Sequence, residues 1–303
     1  MSRVKGILLI MLAATCFGLI PLFTMISYDN RFNPFTFSLF RSGFAALEIY
    51  ILLRITGINF HIERSLYPTL FKASLIGYCL MMVTLVAAFN YISTGLAMSL
   101  HFIYPIATMV GAMVVFWKKV FLKNVLALII SVLGIYLLVG FGSFDAFNLT
   151  GMFLALISGI FYAYYVLIAA YSPLKELNSF VLTFYVSLFN AIILFLGSLV
   201  SGNLFHVFNF AGVMSTVLVA LFANLIGMVA FQAGLKIVGP TTATILSTFE
   251  PITSLIVGIL ILGELLAWYH IAGSLLILCS VVIVAITKNN SLDKDSVIGS
   301  KDH

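Results

Sequence analysis

Glu250 stands directly before Pro251 inside a long apolar run, and this pair is the strongest chemical signal in the chain. A proline cannot donate to the helix ladder and loosens the backbone around it. A carboxylate held there can trade a proton or bind an amine; alternatively, it pairs permanently with Arg41 and closes the fold. Arg41 lies in another apolar run. It could hold an anionic substrate group such as a carboxylate, or form an ion pair or snorkel to the headgroups. Tyr104-Pro105 repeats the Glu250-Pro251 arrangement with a hydroxyl and a flat ring in place of the carboxylate. His101, one turn earlier, could carry a proton or serve as a hydrogen-bonded core residue. Glu48 shares roughly the helical face of Arg41 and lies about 10 Å further along the axis, on the same path or as a structural group.

Asn190 and Gln232 are neutral polar residues in apolar surroundings and could line a pocket. Asn90 and Asn224 are of the same kind, and such groups also simply bond across helices. Tyr162, Tyr164 and Tyr165 could sandwich an apolar or cationic substrate or pack as interface anchors. Arg41, Tyr104, Glu250, His101, Asn190 and Gln232 are therefore the expected substrate-binding residues, with Glu250 also the proton-coupling group. Glu264 is expected at the outer end of its helix, in a structural or gating role.

The elements that position these residues follow from composition. Of the 303 residues, 62% are hydrophobic and 8% charged. A soluble domain carries about 25% charged residues, so the apolar excess must face lipid. The net charge of +5 comes from basic residues in loops between apolar segments, and no basic stripe with interleaved aromatics suggests nucleic acid. The three cysteines, Cys16, Cys79 and Cys279, sit within apolar runs. With an odd count and no C-x-x-C pair they imply neither a disulfide framework nor a zinc site. No Walker A loop, H-E-x-x-H or G-x-S-x-G appears, so no cofactor, metal or enzymatic activity is expected.

A bilayer core about 30 Å thick needs roughly 20 apolar residues per helix, and in lipid an open element must be helical. The expected fold is an all-α membrane protein with ten transmembrane helices: Val4–Ile26, Pro34–Leu53, Leu70–Tyr91, Gly95–Trp117, Val125–Phe141, Leu149–Ala170, Phe180–Val200, Ala211–Leu235, Thr241–Leu262 and Ala267–Thr287. The first reads as an uncleaved span, too long for a signal-peptide core. With both termini cytoplasmic, Arg31 alone falls in an outside loop and Arg41 inside a span, while every other Lys and Arg falls inside, as the positive-inside rule demands. Residues 289–303 read as a disordered cytoplasmic tail.

The chain also repeats itself at an offset of about 145 residues. Gly6 matches Gly151, Asn33-Pro34-Phe35 matches Asn178-Ser179-Phe180, and Ser42 matches Ser187. After a one-residue shift, Ala97, Leu100 and Pro105 match Ala243, Leu246 and Pro251. Five spans per half make the halves two inverted five-helix repeats, residues 1–143 and 144–288. Such repeats suit alternating access, with a pocket at their interface.

These residues resemble the EamA branch of the drug/metabolite transporter superfamily over roughly residues 3–287. Phe40-Arg41 in the second span resembles the family's aromatic-Arg pattern. Pro240-Thr241-Thr242-Ala243, Phe249-Glu250-Pro251-Ile252 and Leu262-Gly263-Glu264-Leu265 resemble its Glu-Pro and Gly-Glu signature. The first half departs from the pattern, with Tyr104-Pro105 for the Glu-Pro pair and Lys118 where the second half has Glu264. The resemblance implies a secondary transporter, often an exporter of amino acids or other metabolites, in a bacterial plasma membrane. The expected partners are a small-molecule substrate and the lipid bilayer. A lipid-handling enzyme or an assembly scaffold is the alternative from another class, and a channel a third. Substrate identity, direction and monomer or homodimer state stay open at this level.

Overall fold

A computed structural model describes residues 3–92, 94–118, 120–140, 148–201, 209–262 and 268–286. Glu264, Lys119, the boundary expected between residues 143 and 144, and the tail 289–303 lie outside them. The helices run in the order α1 (Arg3–Asp29), α2 (Pro34–Thr56), α3 (Arg64–Ala88), α4 (Thr94–His101), α5 (Tyr104–Val114), α6 (Leu122–Gly140), α7 (Leu149–Tyr171), α8 (Ser179–Ser201), α9 (Phe210–Val238), α10 (Pro240–Ile261) and α11 (Trp268–Ile286). No strand occurs among the described residues. Seven helices (α1, α2, α3, α7, α8, α9 and α10) are long and apolar enough to cross a membrane. Three more, α5, α6 and α11, contain shorter apolar stretches over Tyr104–Val114, Leu122–Leu137 and Trp268–Val284. Their outer faces are greasy: α6 exposes Leu126 and Leu133, and α11 exposes Leu275 and Val282. In water such a surface would aggregate; in lipid it is solvated.

Asparagines start several helices, because their side-chain oxygens satisfy amides that have no partner in the first turn. Asn33 accepts from Thr36 N at 2.7 Å and Asn148 from Gly151 N at 3.1 Å. Asn178, the repeat counterpart of Asn33, accepts from Phe180 N at 2.9 Å. The match read from sequence thus marks an equivalent helix start in each half.

The halves pack through reciprocal pairs, three of which join a helix to its own repeat counterpart. α1 lies on α9, α7 on α3, α2 on α8, α5 on α10, and α6 on α11. Lipid removes the hydrophobic drive between helices, so close packing and interhelical hydrogen bonds must hold these pairs, with each bond contributing about 0.6–2 kcal/mol. The Ser27 and Ser215 hydroxyls join α1 to α9 at 2.5 Å. Asn190 Nδ2 donates to Ser42 Oγ at 2.8 Å between α8 and α2. Arg3 donates to the Val284 carbonyl at 2.8 Å, tying α1 to α11.

Three chain breaks precede prolines. The ring of a proline clashes with the carbonyl four residues earlier and removes a donor. α1 opens at Gly18 and Leu19 before Pro21, the expected fourth span splits at Phe102 and Ile103 around Pro105, and α10 tightens to a 3₁₀ turn over Ser247–Phe249 ahead of Pro251. The last two breaks are backed by glycines from the opposite half. A Cβ on Gly18 would lie 2.9 Å from the Glu250 carbonyl and 2.5 Å from Thr253 Cβ. A Cβ on Gly159 of α7 would lie 2.4 Å from the His101 carbonyl. Ser254 Oγ donates to the Gly18 carbonyl at 2.9 Å, pairing an oxygen that the break in α1 releases. Gly18→Ala is therefore expected to lower stability by about 1–3 kcal/mol, the usual penalty of overpacking a close contact. Thermal unfolding of the purified variant in detergent would read this, and an unchanged midpoint would show that α1 and α10 can part without loss.

Candidate functional site

An interior cavity opens where α1, α2, α3, α4, α7, α9 and α10 converge. Its polar lining consists of Arg41, Tyr78, His101, Tyr162 and Glu250, and its apolar lining includes Met81, Met82, Met98 and Met228 with Phe17 and Phe89. The free volume is about 50 Å³, room for only a few waters. A metabolite would need these walls to part.

Three titratable side chains placed far apart in sequence meet here. Arg41, His101 and Glu250 are each only 5–6% exposed. Each reaches the cavity through a different device: Arg41 projects from mid-α2, His101 ends α4 at the Pro105 break, and Glu250 follows the 3₁₀ turn before Pro251. No ion pair joins Arg41 and Glu250 among the described residues. Burying a charge without a partner is costly, so a carboxylate here is poised to bind a cation or a proton.

The hydrogen bonds fix donor roles. His101 Nδ1 lies 2.8 Å from Ser158 Oγ, and Ser158 donates its single hydrogen to the Ala155 carbonyl at 2.6 Å. Oγ must therefore accept, so His101 carries a proton on Nδ1 and its Nε2 is the nitrogen left to take or release one. Arg41 Nε donates to Asn224 Oδ1 at 2.9 Å, and Asn224 Nδ2 donates to Tyr78 Oη at 3.0 Å. No hydrogen bond engages the Arg41 Nη nitrogens among the described residues, so the fork of the guanidinium is left for the cavity.

Aromatic rings stiffen one wall. Tyr162 meets Tyr104 edge to face with centroids 4.8 Å apart, and the His101 ring lies 5.3 Å from Tyr104 and 5.8 Å from Tyr162.

Of the six residues expected from sequence, Arg41, His101 and Glu250 line the cavity. Tyr104 stands one layer behind it, against His101 and Tyr162. Asn190 sits at the α2–α8 seam on Ser42, and Gln232 donates to Tyr165 Oη at 2.5 Å; neither lines the cavity. Glu48 lies off the cavity with Oε2 buried and unpartnered. Sequence reasoning missed Tyr78 and the four methionines. A tyrosine or methionine in an apolar run carries no signal of the side it faces, so no pattern could have singled them out. No cluster of three or more potential metal ligands occurs among the described residues.

The Tyr104 hydroxyl is buried without a hydrogen-bond partner. Removing such a group is neutral or stabilising, so Tyr104→Phe is expected to keep or raise the unfolding midpoint. Loss of solute flux at unchanged stability would instead place this hydroxyl on a substrate.

The model of the EamA-like transporter family matches the chain twice, over residues 4–140 and 149–286. A crystal structure of a protein 13% identical in sequence superposes with a TM-score of 0.79, covering 93% of this chain and 98% of that one. Identity that low speaks for the fold alone. No curated protein matches the chain.

Proposed function

We propose, on the premise that the chain belongs to the EamA-like transporter family, that it is a secondary transporter of a small zwitterionic metabolite, with amino acids the first class to test. The observation that carries this reading is the meeting of Arg41, His101 and Glu250 with an apolar methionine lining in one cavity between the two halves. Arg41 offers a forked cation that suits a carboxylate, Glu250 offers an anion for an amine or a proton, and the methionines adapt to an apolar side chain.

Ten spans arranged as two inverted repeats would make the two halves equivalent under a twofold rotation about an axis lying in the membrane plane. Exchange of the two arrangements would then open the cavity to each side in turn. The segregation of Lys and Arg among the loops supports cytoplasmic termini, a bacterial plasma membrane is the proposed location, and export is the direction proposed. Glu250 takes the coupling proton, and His101 Nε2 is the neighbouring site through which that proton can pass.

The test is metabolite profiling of cells and medium, with wild type and Glu250→Gln at equal membrane levels. A solute shifted to the medium by wild type alone supports the reading and names the substrate. Profiles equal to empty vector across a full amino-acid supplement would favour a non-transporting membrane protein.

A further inference from the structure

We propose that Asn224 and Tyr78 are positioning residues that aim the Arg41 guanidinium into the cavity, and that they do so from a matched pair of π-helical segments. The proposal rests on the transporter reading above. Two stretches of the membrane helices leave the α geometry, Ala73–Cys79 in α3 and Ala220–Met228 in α9. Extended π-helix is rare and recurs at functional sites. These two lie about one repeat length apart, so the deviation occurs once in each half. Each supplies one side chain to a shared contact: Asn224 Nδ2 donates to Tyr78 Oη at 3.0 Å. The remaining end of the amide, Oδ1, accepts from Arg41 Nε at 2.9 Å.

The chemistry of the three groups makes this chain directional. A guanidinium only donates, so Asn224 must present its oxygen to Arg41 and its NH₂ to Tyr78. With Nε committed, the forked Nη face is left toward the cavity, the geometry that bidentate carboxylate binding requires. Tyr78 is in turn held in place: its ring lies 5.6 Å from that of Tyr165, and a Cβ on Gly77 would come within 2.9 Å of the Tyr165 Cα. Asn224 itself does not line the cavity, whereas Arg41 and Tyr78 do. A π segment carries its side chains out of the α register, so its return to α would rotate Tyr78 or Asn224 off the chain and release Arg41.

The deciding variant is Asn224→Asp. A carboxylate keeps an acceptor for Arg41, and a stronger one, so a purely structural contact survives. It also neutralises Arg41, and because it only accepts, Tyr78 must reverse its role and donate. Wild type, Asn224→Asp and Tyr78→Phe would be reconstituted in liposomes and assayed for counterflow of a radiolabelled L-amino-acid mixture. L-phenylalanine and its carboxylate-free alcohol, L-phenylalaninol, would serve as competing inhibitors. The expected result for Asn224→Asp is a KM raised about ten-fold or more, a maximal rate within about three-fold, an unfolding midpoint that does not fall, and loss of any preference for the acid over the alcohol. Tyr78→Phe should shift KM in the same direction by a smaller factor. Unchanged KM and preference in Asn224→Asp would overturn the proposal. Should that variant unfold, a stable Tyr78→Phe with wild-type preference would overturn it equally. Absence of flux in wild type would sink the transporter reading first, and the proposal with it, and is recognised without any variant.

Discussion

Glu250→Gln is expected to abolish solute accumulation driven by an imposed pH gradient, by about 100-fold or more, while leaving counterflow within about five-fold. Glutamine fills nearly the same volume and keeps an acceptor oxygen, so the walls around residue 250 need not move. What it cannot do is take and release a proton. A coupled carrier deprived of that step can still exchange solute for solute, because exchange returns the protein loaded in both directions. The roughly 100-fold effect corresponds to about 2.7 kcal/mol, within the range of a lost charge-assisted interaction. Stability gives the complementary reading. Glu250 forms no ion pair among the described residues, so its neutralisation relieves burial of a charge and the unfolding midpoint should hold or rise. A lower midpoint would mean that Glu250 serves the fold, and pH-driven accumulation by the variant would remove it from coupling.

Arg41→Met should weaken binding of carboxylate-bearing solutes by about 10–100-fold, since hydrogen bonds to charged groups contribute about 1.5–3 kcal/mol. An amine that lacks the carboxylate should bind the variant and wild type alike. Counterflow inhibition by matched acid and alcohol pairs separates these effects. The substitution also strips Asn224 Oδ1 of its donor, and leaving a buried acceptor unpaired costs about 1–3 kcal/mol of stability. Arg41→Lys retains the charge but has a single nitrogen for both Asn224 and the solute, so its affinity should fall between the two. Equal loss of acid and alcohol binding in Arg41→Met would show that the residue shapes the cavity without contacting an anion.

Much of this arrangement is legible in the sequence because lipid makes polarity expensive. Arg41, His101 and Glu250 stand out against apolar runs, and the structure brings all three to one cavity. Pro105 and Pro251 announce the breaks that deliver His101 and Glu250. The span limits were legible to a few residues: Pro34–Leu53 was expected where α2 covers Pro34–Thr56. The expected fourth span, Gly95–Trp117, proved to be two helices, α4 and α5, because the Pro105 ring ends the α ladder. The π segments left no trace. Gly77 of the first segment packs against the backbone of α7, a tertiary fact that a string such as Ala-Ser-Leu-Ile-Gly-Tyr-Cys does not encode. Asn224 was visible as a polar residue in a span, but its tie to Arg41 joins positions 183 residues apart. Tyr78, one of several tyrosines in apolar runs, gave no hint that it faces the site.

The packing between the halves also sets a timetable for synthesis. α1 has its main partner in α9, and Arg41 waits for Asn224, which is made 183 residues later. At ribosomal speeds of about 5–20 residues per second that delay is roughly 10–35 s. For that time α1 sits in the bilayer without its mate, with Arg41 held only by water or headgroups. The first half made alone should therefore be recognised as unfinished and degraded, and the two halves made as separate chains should be rescued only when both are present in the same membrane.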